Sequence, residues 1–185
     1  GGAGGMTISL PQEDRNFQSR QELTERIASL LGGRVAEELT LGDISTGAGN
    51  DIQRASSIAR NMVMRYGMSP RLGSVTFDTG HDEVFIGRSM AQTKTYSEEV
   101  AAIIDEEVKA LVDNAYARCR DILTQQRPAL DLVARYLLEF ETMDAAAFQR
   151  VFTEPEALEA ELAAHQKEAV EAPPAAPEAQ EELHD

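Results

Sequence analysis

The sequence predicts a mainly α fold with a small β edge element and a disordered acidic tail. Three observations lead there. First, long stretches repeat apolar residues at i, i+3, i+4 and i+7, the spacing of one buried helical face; Ile52, Ala55, Ala59, Met62, Val63 and Tyr66 are the clearest case. Second, the apolar–polar alternation of a half-buried strand is confined to short runs. Third, beyond Thr153 the composition turns to Glu, Ala and Pro, which buries too little apolar surface to offset chain entropy. A chain of 185 residues with 42% apolar content suffices for one domain with a real core. The formal charge of −15 argues against a nucleic-acid binder. Residues 153–185 hold nine Glu, one Asp and one Lys, so this tail carries −9 of that charge. No run approaches the roughly 18 apolar residues of a membrane span, and no basic, apolar leader opens the chain. This piece is therefore expected to be soluble. One cysteine, Cys119, excludes an internal disulfide and reads as a small buried core residue.

The elements follow in order. Residues 1–5 (Gly-Gly-Ala-Gly-Gly) read as a linker or as the start of a native loop. Met6 to Leu10 alternates apolar and polar residues, a strand with one buried face, and Pro11 ends it at what suits a sheet edge. Ser19 with Glu22 forms a capping box. The buried stripe of Leu23, Ile27, Leu30 and Leu31 follows. Gly32-Gly33 inside this pattern costs on the order of 1 kcal/mol per glycine relative to alanine, which implies either close helix approach or a break. Arg34 to Leu39 resumes the helix. A loop rich in Gly and hydroxyl residues, Ser45 to Asn50, then leads into the second helix, with Asp51 in its first turn. A carboxylate there gains from the helix dipole and the free backbone N–H groups. The pattern stops at Gly67, with Pro70 beyond.

Ser74 to Phe77 reads as a short strand, followed by an acidic loop containing His81. Ser97 opens a long helix to about Gln126, with Val100, Ile103, Ile104, Val108, Leu111, Ala115 and Ile122 inward. Pro128 starts the next helix at a position proline tolerates; its inward face is Leu130, Val133, Tyr136, Leu137 and Phe140. Thr142 or Asp144 caps a short helix ending near Phe152. Glu156 to Val170 admits a transient helix, which the prolines at 173, 174 and 177 stop, and His165 and His184 read as solvated. The domain thus spans 6–152 and the acidic tail 153–185.

Several blocks, Leu31 to Glu38, Ser45 to Asp51, Met62 to Ser69, Leu72-Gly73, Glu83 to Arg88 and Ile103 to Val108, closely resemble the peptidase domain of the FtsH family. These are membrane-anchored, ATP-dependent zinc metalloproteases. The resemblance covers roughly residues 4 to 152. A zinc peptidase needs three protein ligands, an open position for water and a carboxylate base. In the HExxH arrangement two histidines four apart share a helical face and the intervening glutamate is the base. The resemblance implies that the third ligand, the aspartate of Gly-x-x-Asn-Asp, is Asp51. It implies that Glu37, first glutamate of Ala36-Glu37-Glu38, supports the metal's ligands. It also implies that Gly5, Met6, Thr7 and Ile8 border the active-site groove, where an extended substrate adds as another strand.

The sequence departs from the family at the decisive place. It holds no HExxH, and its histidines at 81, 165 and 184 supply no i, i+4 pair. No Gly-Lys-Thr nucleotide motif occurs either. The resemblance therefore implies the C-terminal part of a protease whose HExxH helix, ATPase module with ATP and Mg2+, and membrane anchor lie elsewhere. Alone it is expected to be inactive and zinc-free. The parent is expected to be a homo-hexamer in the cell membrane with this domain cytoplasmic, degrading unfolded membrane and cytosolic proteins. A second class of reading is a catalytically silent helical oligomerisation or interaction domain. A third, an acidic helical binder unrelated to proteolysis, fits only the composition.

Overall fold

The computed structural model describes residues 17–77 and 96–171, with side chains to Lys167. These residues form six helices and divide into two units, one ending at Gln125 and one beginning at Gln126. The fold is mainly α, as the sequence predicts. Among the described residues the sole β feature is an isolated bridge between Ser69 and Gly73. The edge strand expected at Met6 to Leu10 lies outside the described residues, as do His81, Glu83 to Arg88 and His184. No described helix is long and apolar enough to cross a membrane.

In the first unit, α1 (Arg20–Leu41) begins at the capping box. The Ser19 hydroxyl accepts from the Glu22 N–H at 3.2 Å, and the Glu22 carboxylate accepts from the Ser19 N–H at 2.6 Å. It ends on Gly42, whose φ of +67° is the left-handed conformation that glycine adopts without penalty. Gly32 and Gly33 neither break α1 nor mark a close approach. The helix runs through them, and no described atom lies within 4 Å of where a Cβ would stand.

α2 (Gly49–Met64) and α3 (Glu98–Gln125) pack on α1. Leu23, Ile27, Leu31 and Val35 of α1 meet Ala55, Ala59 and Met62 of α2 and Ala115 and Cys119 of α3 in one cluster. Alanine on the facing sides lets the helices lie close. Cys119 is buried there, and burial pushes its thiol pKa up. The periodicity extends further than the helix does. α2 stops at Met64, and Tyr66, expected to be inward, is 49% exposed. Gly67 turns the chain with φ +59°, and a Cβ there would sit 2.9 Å from the Ser74 Cα.

The segment Ser74 to Phe77 is not the strand its alternation suggests. It folds back on the end of α2, where the Met64 carbonyl accepts from the Phe77 N–H at 2.7 Å and from the Thr76 hydroxyl at 3.2 Å. A helix end leaves such carbonyls without partners, so this segment serves as a cap. Ser69, buried in the turn, donates to the Glu107 carboxylate of α3 at 2.7 Å. Ile122, expected to be inward on α3, is half exposed.

In the second unit, α4 (Arg127–Phe140), α5 (Ala145–Thr153) and α6 (Pro155–Glu171) pack together. Asp144, not Thr142, caps α5, accepting from the Ala147 N–H at 2.7 Å. On α4 the buried residue is Leu132, while Leu137, expected to be inward, is 40% exposed. The largest departure is α6. Residues 155–171 fall within the stretch expected as acidic tail with at most a transient helix over 156–170, yet they form a packed 17-residue helix with Leu158 and Leu162 buried. Leu158 sits in a cluster with Leu132 and Val151. Ionic contacts flank it: Arg135 to Glu159 at 2.8 Å and Arg150 to Glu161 at 3.0 Å. His165 is not simply solvated. Its Nδ1 lies 2.8 Å from the Glu139 carboxylate and its ring centre 4.7 Å from that of Phe140. That hydrogen bond, with a second from Gln166, holds the Glu139 carboxyl below its ordinary pKa.

Candidate metal-ligand site at the start of α2

Asp51 stands in the first turn of α2, where the sequence places it. Ala48 at the N-cap supplies no side-chain hydrogen bond to that turn, so the turn's N–H groups and dipole act on the nearby carboxylate. The Asp51 side chain is 44% exposed and makes no hydrogen bond among the described residues. Its cationic neighbour is Arg54 one turn on, at 4.0 Å. It is an open carboxylate rather than the cap of its own helix.

The loop that delivers Asp51 is fixed from α1. Arg34 donates to the Ser45 carbonyl at 2.7 Å, and Glu37 accepts from the Ser45 N–H at 3.0 Å. Arg34 and Glu37 are three residues apart and share a helical face, so together they hold both backbone groups of one residue. Ser45 in turn accepts from the Gly47 N–H at 3.1 Å, and Thr46 from the Gly49 N–H at 3.1 Å. The path from clamp to Asp51 is thus a short, internally bonded turn. Glu38 faces elsewhere, accepting from the Tyr116 hydroxyl of α3 and lying 3.5 Å from Arg120. The hydrogen bond to Glu38 pushes the Tyr116 pKa up. Of the two adjacent glutamates, Glu37 therefore serves the loop and Glu38 the packing of α3. Sequence reasoning missed Arg34; its signal was an Arg three residues before Glu37 on the helix facing a Gly-rich loop.

Hydrogen bonds from the Ser45 hydroxyl and then its amide hold the Glu37 carboxyl below its ordinary value of 4.5. A lowered folded-state value means that the clamp contributes fully above pH 4.5 and is lost as pH falls through the lower value. The expected result is a Ser45 amide NMR resonance that titrates with Glu37 at a midpoint below 4.5. In Glu37→Gln the same resonance should show no such transition. A midpoint at or above 4.5 in the parent chain would contradict the clamp.

Zinc needs more than Asp51 offers. Among the described residues no three His, Cys, Asp or Glu side chains converge to hold a metal ion. His165 belongs to the second unit, and His81 and His184 lie outside the described residues. The described residues therefore supply one carboxylate and a rigid mount, and they do not by themselves fit a zinc ion. The residues expected to line a substrate groove, Gly5, Met6, Thr7 and Ile8, also lie outside the described residues.

Comparison with known proteins bears on this arrangement. The model of peptidase family M41 matches residues 1–151. The chain is 53% identical over 153 residues to the ATP-dependent zinc metalloprotease FtsH 2 of Alkaliphilus metalliredigens, covering 83% of this chain and 22% of that protein. It is 47% identical over 146 residues to the ATP-dependent zinc metalloprotease FtsH of Bacillus subtilis, covering 78% and 23%. With the FtsH of Thermotoga maritima the identity is 46% over 150 residues, covering 81% and 25%. The chain thus spans about a quarter of the length of these relatives.

Proposed function

This chain belongs to peptidase family M41, and from that premise we propose that it is the C-terminal part of a membrane-anchored, ATP-dependent zinc metalloendopeptidase. Its substrates are unfolded or misassembled membrane and cytosolic proteins. Asp51 gives one zinc ligand, and an HExxH helix that this chain does not contain gives the two histidines and the base. Bound there, zinc would lower the pKa of its water and polarise the scissile carbonyl. Glu37 and Arg34 hold the loop that aims Asp51. ATP and Mg2+ bind a separate module, the parent is a homo-hexamer, and this domain faces the cytoplasm. The chain by itself neither retains zinc tightly nor cleaves peptides, because one carboxylate does not outcompete water.

The observation that carries this reading is the half-exposed Asp51 carboxylate, without a hydrogen bond among the described residues and mounted on a clamped turn. Zinc content and chelator-sensitive casein cleavage, measured for this chain alone and for the complete protein, test it. About one zinc per chain and cleavage are expected in the complete protein only. Zinc-dependent cleavage by the isolated chain would refute the split site. A complete protein without zinc would favour a silent helical oligomerisation or interaction domain. The exposed Phe148 and Phe152, ring centres 5.4 Å apart on α5, suit that second reading.

A further inference from the structure

We propose that a cleft between α1 and α2 binds peptide carboxylates, with Arg26 and Arg54 as the recognising groups. The cleft measures about 480 Å3 and is lined by Arg26 from α1 and by Asn50, Gln53, Arg54, Ser57 and Ile58 from α2. The chain carries 32 acidic and 17 basic residues, yet two guanidiniums face this one cleft. Among the described residues Arg26 makes no hydrogen bond or ion pair. The acidic neighbour of Arg54 is Asp51, whose 4.0 Å separation is too long for a hydrogen bond. Two guanidiniums line this cleft, so an anion seated in it is attracted to both.

The rest of the lining narrows the anion to a peptide. A guanidinium presents donors in a planar fork that matches a carboxylate. The Ser57 hydroxyl donates to the Gln53 carbonyl at 2.9 Å, which leaves its oxygen free to accept from a peptide N–H. The amides of Asn50 and Gln53 both donate and accept, as a backbone requires. Ile58 supplies an apolar wall for an aliphatic stem. This inference deepens the peptidase reading and rests on it: Arg54 lies one turn from Asp51, so the cleft adjoins the metal ligand and acts as a specificity subsite. The carboxylate comes from an acidic side chain of the substrate or from a free chain end.

Three acetylated tetrapeptides separate those sources in NMR titrations of this chain without zinc. One carries an internal aspartate and an amidated end, one the matching asparagine and an amidated end, and one that asparagine with a free end. The two carboxylate peptides are expected to shift the Arg26 and Arg54 side-chain signals, and the neutral peptide to bind about tenfold more weakly. Binding of only one carboxylate peptide upholds the site and names the source. Arg26→Gln and Arg54→Gln should each weaken binding about tenfold, with Arg54→Lys keeping part of it. Should a variant lose its helical circular dichroism, the peptide comparison on the parent chain still decides. Equal affinity for the neutral peptide, unchanged binding by both glutamine variants, or binding of inorganic phosphate without any peptide overturns the proposal. Because no zinc is used, a silent domain that discriminates carboxylates would sink the peptidase reading alone. A zinc enzyme without such discrimination would sink the subsite alone.

Discussion

Asp51→Asn in the complete protein is expected to lower zinc retention and casein cleavage by more than about 100-fold while the fold survives. The magnitude has a floor: groups that merely orient a ligand are worth about 10- to 100-fold in metal affinity or activity, and a ligand is worth more. The substitution keeps the side chain's shape and removes its charge. Its structural cost is confined to the lost interactions with the helix dipole and with Arg54 at 4.0 Å, each no more than about 1 kcal/mol at an exposed position. Asp51 is half exposed and lacks a hydrogen bond among the described residues, so no packing is disturbed. Metal analysis of the purified variant, with a thermal melt beside it, separates the two effects. Zinc stoichiometry and cleavage within tenfold of the parent would show that Asp51 is not a ligand, whatever the family suggests.

Leu158→Ala is expected to destabilise the second unit by about 2–5 kcal/mol, the usual cost of truncating a fully buried leucine. Leu158 is fully buried between α4 and α5 residues Leu132 and Val151. The unit has few other such residues to offset the loss. Leu138→Ala is the control. That leucine is 85% exposed, and its removal should change stability by no more than about 0.5 kcal/mol. Urea unfolding followed by amide exchange in α4 reads both variants. Were 155–171 a solvated tail, both leucines would be equally silent.

These two expectations mark where the sequence was legible and where it was not. Asp51 and Ser19 were placed correctly because first-turn and capping positions depend on local spacing alone. The buried Ile27, Ala59 and Met62 followed from helical periodicity. Tyr66 and Ile122 did not, because periodicity tells which face is apolar and not where the neighbouring helix ends. Ser74 to Phe77 alternates like a strand, but its backbone found partners at the end of α2 rather than in another strand. The sequence admits α6 as a transient helix over 156–170, and what composition conceals is that it packs. Glu and Ala dominate it, and its two buried leucines count only once α4 and α5 are there to receive them. In the site, Glu37 was singled out through the family resemblance, and its partner is visible only in three dimensions. Arg34 grips a carbonyl eleven positions away, a contact that no pattern in the letters announces.

The tie between Tyr116 and Glu38 also bears on the order in which the chain assembles. It closes a loop of 78 residues, whereas the contacts from α4 to α6 and from α5 to α6 close loops of 24 and 11. Closure entropy grows as about 1.5RT times the logarithm of loop length, so the first closure costs about 1 kcal/mol more than the 24-residue one. The C-terminal helices therefore meet the smaller entropic barrier. On a ribosome, which releases the N-terminus first, α1 and α2 emerge with their shared face toward α3 still bare. Within the first unit, the face that α1 and α2 share must therefore wait for α3.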